Sequence, residues 1–196
     1  MLVSVAATAP GTSPWISRQT ARRPPASSSH GELVALLERL APGSRFLVQQ
    51  GLDLACWHGR RFDFRYMVQR GAGGDWQCTA AVARVAAPGA VLTHIRHGAT
   101  PMDPEAVLVE VFSPSRGAEL ARELAQAALL VAAALDRGFA HLADLGLDLA
   151  VDQGGRLWLL ECNGGPDLGI FAHDPQAHER IHRAPVEYAA WLAGWR

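Results

Sequence analysis

Apolar and polar residues alternate most cleanly between positions 62 and 69. Phe62, Phe64, Tyr66 and Val68 fall on one face of an extended segment, with Asp63, Arg65, Met67 and Gln69 on the other. The run Gly71-Ala72-Gly73-Gly74-Asp75 reads as a hairpin connection, so residues 76–85 return as an antiparallel partner. A second hairpin is predicted from residues 145–151, a turn at Asp152-Gln153-Gly154-Gly155, and residues 156–162. Further strands are expected at 2–6, 14–18, 46–50, 52–57 and 91–95, with turns at Pro10-Gly11 and Pro88-Gly89. Leu33, Leu36, Leu37 and Leu40 recur at helical spacing after Ser29, and Pro42-Gly43 ends that helix. A longer helix is capped by Ser115 and runs through Leu120, Leu124, Ala127, Ala128, Val131 and Leu135. A final helix is expected over 184–195, with Pro185 in its first turn. Strands, a long helix, a hairpin and a last helix describe an α+β fold rather than βαβ winding.

Arg22-Arg23-Pro24-Pro25 and Ser27-Ser28-Ser29 form a polar connector, which separates residues 1–30, an irregular N-terminal segment or the remnant of a preceding lobe, from a domain at 31–196. In a chain of 196 residues, 49% hydrophobic and 19% charged, disorder is excluded. All 18 basic residues are arginine, so a Schiff-base or phosphate-gripping lysine is closed to this chain acting alone. A net charge of −1 argues against general nucleic-acid affinity. Cys56, Cys78 and Cys162 form neither a disulfide framework nor a metal knuckle, which makes a reducing cytoplasm the simpler setting. The first residues lack the basic start of a secretory signal, and the apolar run 127–135 is too short to span a bilayer. The expectation is a soluble cytoplasmic protein with no membrane partner.

The chemistry concentrates in the second hairpin. Paired strands set Asp148 opposite Glu161, and Asn163 lies two residues on, on the same face. Two carboxylates and an amide carbonyl are hard oxygen ligands suited to Mg²⁺ completed by substrate phosphates. On these residues alone, Asp148 in a turn and Glu161 in a surface ion pair is an equal reading. Likewise Asp63 and Arg65 fit a plain same-face ion pair, and Arg84 an arginine covering a strand edge. His178-Glu179-Arg180-Ile181-His182 matches HExxH, in which two histidines one turn apart hold Zn²⁺ and the glutamate activates water. The extended HxxGxxH form is absent, and a solvated helical face is the preferred reading over a zinc hydrolase. Cys162 points to the strand face opposite Glu161 and Asn163, as a small buried hydrophobe rather than a nucleophile.

Asp148 with Glu161-x-Asn163-x-x-Pro166, preceded by Gly51 and Asp63-Phe64-Arg65, resembles the C-terminal half of the ATP-grasp fold. More narrowly, the chain is similar to the YheC/YheD endospore coat-associated family, through Phe46-Leu47-Val48-Gln49-Gln50-Gly51, Ala83-Arg84-Val85-Ala86, Leu145-Gly146-Leu147-Asp148 and Trp158-Leu159-Leu160-Glu161-Cys162-Asn163. The resemblance implies an ATP-grasp-like C-terminal lobe, an antiparallel sheet with helices packed on one side. It also implies ATP and Mg²⁺ as cofactors, with Mn²⁺ as an alternative metal. By the same resemblance, Gln49, Gln50 and Leu52 would meet adenine and Asp63 would hold a nucleotide hydroxyl. Arg84 would face the transferring phosphate with Arg65 supporting it, and Asp148, Glu161 and Asn163 would hold the metal. His94 stands where the family carries an asparagine that approaches ATP and metal. The family's phosphate-gripping lysine and glycine-rich loop would lie before the start of this chain. Two functions follow from the resemblance. One is ATP-dependent joining of a carboxylate to an amine or thiol through an acyl-phosphate, in concert with a separate chain supplying the N-terminal lobe. The other is a non-catalytic role with spore-coat proteins as partners.

Overall fold

The computed structural model describes residues 4–8, 31, 35, 38–39, 42–43, 45–49, 52–90, 92–139 and 141–195. The chain divides into two compact units, Met1–Asp53 and Leu54–Arg196, whereas the sequence suggested a boundary after residue 30. In the first unit β1 (Ser4–Thr8) pairs antiparallel with β2 (Arg45–Gln49), in register from Ser4↔Gln49 to Thr8↔Arg45. Residues 31, 35, 38 and 39 are helical, and Pro42-Gly43 forms a turn with Gly43 at φ 68. The strand expected at 14–18 lies outside the described residues, as does Gln50.

The second unit is built on an antiparallel sheet. Its strands are β3 (Cys56–Trp57), β4 (Arg60–Arg70), β5 (Trp76–Val85), β6 (Thr100–Met102), β7 (Asp144–Val151) and β8 (Leu157–Gly164). They lie in the order β6-β5-β4-β7-β8, with β3 pairing onto the start of β4. The two hairpins expected from the sequence are β4–β5 and β7–β8, joined edge to edge by β4–β7 pairing. No strand forms at 92–95. Instead Thr93 and His94 lead into a 3-10 turn, Ile95–His97, closed by Gly98 at φ 80, and β6 follows. Arg96 N–H donates to His94 Nδ1, a local bond that competes with extended pairing.

Three helices complete the unit: α1 (Pro104–Val111), α2 (Pro114–Asp136) and α3 (Pro175–Leu192). Each begins with proline at the first helical position, behind a side-chain cap from Asp103, Ser113 and Asp174 respectively. The sequence reading missed α1, placed the α2 cap two residues late at Ser115, and began α3 nine residues late. Pro185 thus sits inside α3 rather than in its first turn. A proline there leaves the carbonyl of Ile181, four residues earlier, without its helical N–H. Gln69, fully buried on β4, donates its side-chain N–H to that carbonyl at 2.9 Å, and the orphan is satisfied.

The alternation on β4 sorts two cores. Phe62, Phe64, Tyr66 and Val68 join Leu120, Leu124 and Ala128 of α2 and Val107 and Leu108 of α1. The opposite face, polar by its pattern, is also covered: Met67, Ala80 and Val82 pack against Phe171, Ala177 and Ile181. The expectation of helices on one side therefore holds for α1 and α2, while α3 covers part of the other face. Its contacts include Met67 and Gln69. Asp63 and Arg65 lie further along the same face, and that stretch of sheet carries the site.

Candidate functional site

Strand register brings the site together. Across neighbouring strands Arg65 on β4 stands opposite Asp148 on β7, and Asp148 stands opposite Glu161 on β8. Asp63 stands opposite Arg84 on β5, and Asn163 opposite Gly146. Because side chains opposite each other share a face, Asp63, Arg65, Arg84, Asp148, Glu161 and Asn163 project from one side of the sheet. A bulge after Asp148 lets Leu160 fall out of register, so Glu161 keeps its place across from Asp148 while Leu159 pairs with Leu149.

Four of these side chains form a continuous ion network. Arg84 grips Asp63 with both arms, Nε to Oδ1 at 2.6 Å and NH2 to Oδ2 at 2.8 Å. It also reaches Asp148 Oδ2 at 3.0 Å. Arg65 grips Asp148 from the other side, Nε to Oδ1 at 2.6 Å and NH2 to Oδ2 at 3.2 Å. Thr93, in the loop after β5, donates its hydroxyl to Asp63 Oδ2 at 2.5 Å. The four charged side chains are only 7–11% exposed. Burial is the largest influence on Asp63 and pushes its carboxyl up, against Arg84 and Thr93, which pull it down. Burial also disfavours the Arg84 charge, but Asp63 and Asp148 outweigh it and hold the guanidinium above its ordinary value.

Two loops border the network. On one side the exposed His94 accepts from Arg96 N–H through Nδ1, which leaves the proton of the neutral ring on Nε2. Partial burial, then the charges of Arg84, Arg96 and His97, lower its pKa, against Asp167, which raises it. On the other side Pro166 sits over Gly146: a Cβ on Gly146 would meet Pro166 Cβ at 2.5 Å and the Arg65 NH1 at 3.0 Å. That strand glycine makes room for the Arg65 guanidinium against the sheet.

Glu161 and Asn163 are half-buried, and their side chains make no hydrogen bond or ion pair among the described residues. With Asp148 they form an all-oxygen donor set of the kind that hard divalent cations take. The described residues contain no cluster of three or more His, Cys, Asp or Glu that could hold a metal, so this donor set is two carboxylates and an amide. A divalent ion held there would compete with the two guanidiniums for Asp148 and would take its remaining ligands from elsewhere.

Most of the residues singled out in the sequence thus converge: Arg84, Arg65, Asp63, Asp148, Glu161 and Asn163 on the sheet, and His94 at its rim. Gln49 and Leu52 belong to the first unit. Thr93 was missed, because it falls in a stretch whose composition reads as a strand. Gly146 carried a usable signal, a glycine inside a strand two residues before a carboxylate. Cys162 pairs with Leu147 and packs against the α2 core, and burial raises its thiol. His178, Glu179 and His182 stand exposed on α3, where Glu179 pairs with Arg183 and His182 Nδ1 lies 2.7 Å from the carbonyl of His178.

The architecture is that of the ATP-grasp fold. Over 78% of this chain and 49% of the other, it superposes with a TM-score of 0.50 and 20% identity on the C-terminal domain of Pby1 from K. lactis, an ATP-grasp enzyme interacting with the mRNA decapping enzyme Dcp2. Within that fold the chain matches the YheC/D like ATP-grasp family over residues 9–192, and it belongs to that family. It is 32% identical over 155 residues to Endospore coat-associated protein YheD of Bacillus subtilis (strain 168). That match covers 76% of this chain and 33% of YheD, so the chain spans about a third of that relative's length. No helix among the described residues is long and apolar enough to cross a membrane.

Proposed function

We propose that the second unit is the metal-and-phosphate half of an ATP-dependent ligase, which joins a carboxylate to an amine or thiol by way of an acyl-phosphate. The observation that supports this reading is the placement of two guanidiniums, two carboxylates and an amide side chain on one sheet face. Asp148, Glu161 and Asn163 would hold Mg²⁺, or Mn²⁺ in its place. Such an ion, when bound, supplies positive charge against the phosphate oxygens. Arg84 keeps its orientation through Asp63 and Thr93, and so presents fixed positive charge where a phosphoryl group carries negative charge. Arg65 adds a second guanidinium, and the neutral His94 offers Nε2–H as a donor at the rim. Gln49, Gln50 and Leu52 are proposed to meet adenine. With both oxygens of Asp63 engaged by Arg84 and Thr93, its contribution is to hold Arg84, and a contact with a nucleotide hydroxyl would have to share those oxygens.

With no lysine in the chain, the phosphate grip from the other lobe of the fold falls to a separate chain or segment. Calorimetric titration of nucleotide with and without Mg²⁺ tests the reading. Mg²⁺-dependent ATP binding is expected, and Glu161→Ala should abolish the metal dependence. Absence of binding at millimolar nucleotide removes the enzyme reading for this chain.

A second reading has an observation of its own, the similarity to YheD, an endospore coat-associated protein. There the chain would serve as a non-catalytic component among coat proteins in a spore. Retained nucleotide binding with no turnover on any carboxylate and amine pair would favour it.

A further inference from the structure

The geometry points to a latch within that proposed site: Arg65 occupies Asp148 until a divalent cation and a phosphate anion arrive together, and so couples the binding of the two. The inference rests on the metal and phosphate reading above and adds how the site chooses its ligand. It selects a metal–polyphosphate complex over either ion alone.

The argument starts from charge. Asp63, Arg84, Asp148 and Arg65 are two negative and two positive groups in one nearly buried network, so their charges balance as they stand. Both oxygens of Asp148 are engaged, one by Arg65 and the other by Arg65 and Arg84 together. A divalent cation arriving alone must share or take Asp148, and it then stands beside two guanidiniums stripped of part of their compensation. A polyphosphate arriving alone meets the two arginines while Asp63, Asp148 and Glu161 repel it. Breaking a buried pair from one side is strongly unfavourable, because the group left behind stays charged and unpaired. When both arrive, the cation replaces guanidinium at Asp148 and phosphate oxygens replace Asp148 at the guanidinium. Each buried charge then keeps a partner of opposite sign.

The two arginines are not equivalent in this exchange. Arg84 retains its bidentate hold on Asp63, backed by Thr93, whatever becomes of Asp148. Arg65 has Asp148 as its side-chain partner among the described residues. Its guanidinium lies against Gly146 and beside the Pro166 ring, which offers it no charge or hydrogen bond. Arg65 is therefore the moving member and Arg84 the fixed one.

The test reads Mn²⁺ binding in the absence of nucleotide, by electron paramagnetic resonance of the free ion, on the full chain. The wild type should bind Mn²⁺ alone weakly. Arg65→Met frees Asp148 Oδ1, leaves Oδ2 to Arg84, and should tighten Mn²⁺ binding roughly tenfold, within the usual range of coupling between linked sites. Arg96→Met, which removes an exposed charge from the neighbouring loop, should leave it unchanged. Unchanged Mn²⁺ affinity in Arg65→Met overturns the latch. Equal tightening in Arg96→Met overturns it too, since the effect is then a general field. If Arg65→Met fails to give a cooperative thermal transition, Arg65→Gln is read in its place with the same expectation. Should Glu161→Ala abolish nucleotide-dependent Mn²⁺ binding while the Arg65 variants do nothing, the metal reading stands and the latch alone is lost. No Mn²⁺ binding in any variant, with or without nucleotide, removes both.

Discussion

Asp63 shows how a residue's role follows from its partners rather than its type. A buried carboxylate is costly unless paired, and this one is paired three times, twice by Arg84 and once by Thr93. Replacing it with alanine leaves Arg84 buried beside a single shared acid. Breaking such a pair typically costs about 3–5 kcal/mol. Thr93→Val removes only the third bond and should cost about 1.5–3 kcal/mol, the range for hydrogen bonds to charged groups. Urea denaturation of the two variants is expected to give that order. A Thr93→Val loss as large as that of Asp63→Ala would mean that the loop, not the ion pair, holds Arg84. At this scale the sequence was half legible. Alternation placed Asp63 and Arg65 on one face, but it suggested that they paired with each other. The partners are instead Arg84 and Asp148, which only strand order could reveal.

Elements are tied by contacts that local sequence does not announce. Pro185 reads as a helix start because proline fits the first turn, and nothing near it says otherwise. What permits it inside α3 is Gln69, on a strand far away in the chain, whose amide N–H takes the carbonyl that the proline orphans. The same Gln69 accepts from the Thr79 hydroxyl at the β5 bulge, so one buried amide serves two irregularities. Gln69→Leu should cost about 1–3 kcal/mol, the penalty of an unsatisfied buried group. Adding Pro185→Ala restores a helical N–H to Ile181, so the double variant is expected to recover part of that loss. Additive losses in a double-mutant cycle would show the two positions to be independent. The β7–β8 hairpin, by contrast, was legible to the residue opposite Asp148, because Asp152-Gln153-Gly154-Gly155 is a strong turn signal. Asp152 holds that turn with Oδ1 accepting from Gly154 N–H and Arg156 N–H and Oδ2 from Trp158 Nε1–H. The Trp158 bond, then the backbone bonds, hold its carboxyl below the ordinary 3.8. A lowered folded value means that the contribution is present above the ordinary aspartate value and is lost as pH falls through the lowered one. Asp152→Asn turns an amide N–H toward Trp158 Nε1–H. It should lower the melting temperature at neutral pH, and the gap to the wild type should close in acid. A gap that does not change with pH would assign the effect to geometry instead of charge.

For the whole molecule the question is which stretch of chain suffices to build the site. The connector at 22–29 drew the boundary at residue 30 in the sequence, because proline and serine runs mark linkers. The structure divides the chain later, between Asp53 and Leu54. The physical reason lies in what each part encloses. Among the described residues, both apolar clusters, one beneath α1 and α2 and the other beneath α3, are built from residues after Leu54. The pairing of Leu54 with Asp152 and the bond from Ala55 N–H to the Val151 carbonyl close the first residues of the unit onto the β7–β8 turn. Asp63, Arg65, Arg84, Thr93, Asp148, Glu161 and Asn163 all fall within it. A fragment of residues 54–196 is therefore expected to unfold in one cooperative urea transition, with tryptophan fluorescence and far-ultraviolet circular dichroism coinciding. It should bind Mn²⁺ alone as weakly as the full chain, because the latch needs no residue before Leu54. On the proposed adenine role of Gln49, Gln50 and Leu52, adenine recognition should be lost with them, while Mn²⁺ with tripolyphosphate should still bind. Non-coincident transitions would show that the second unit depends on residues 1–53 for its packing. Loss of tripolyphosphate binding in a cooperatively folding fragment would place part of the phosphate site before Leu54. The sheet face of Arg65 and Arg84 would then be only one wall of that site.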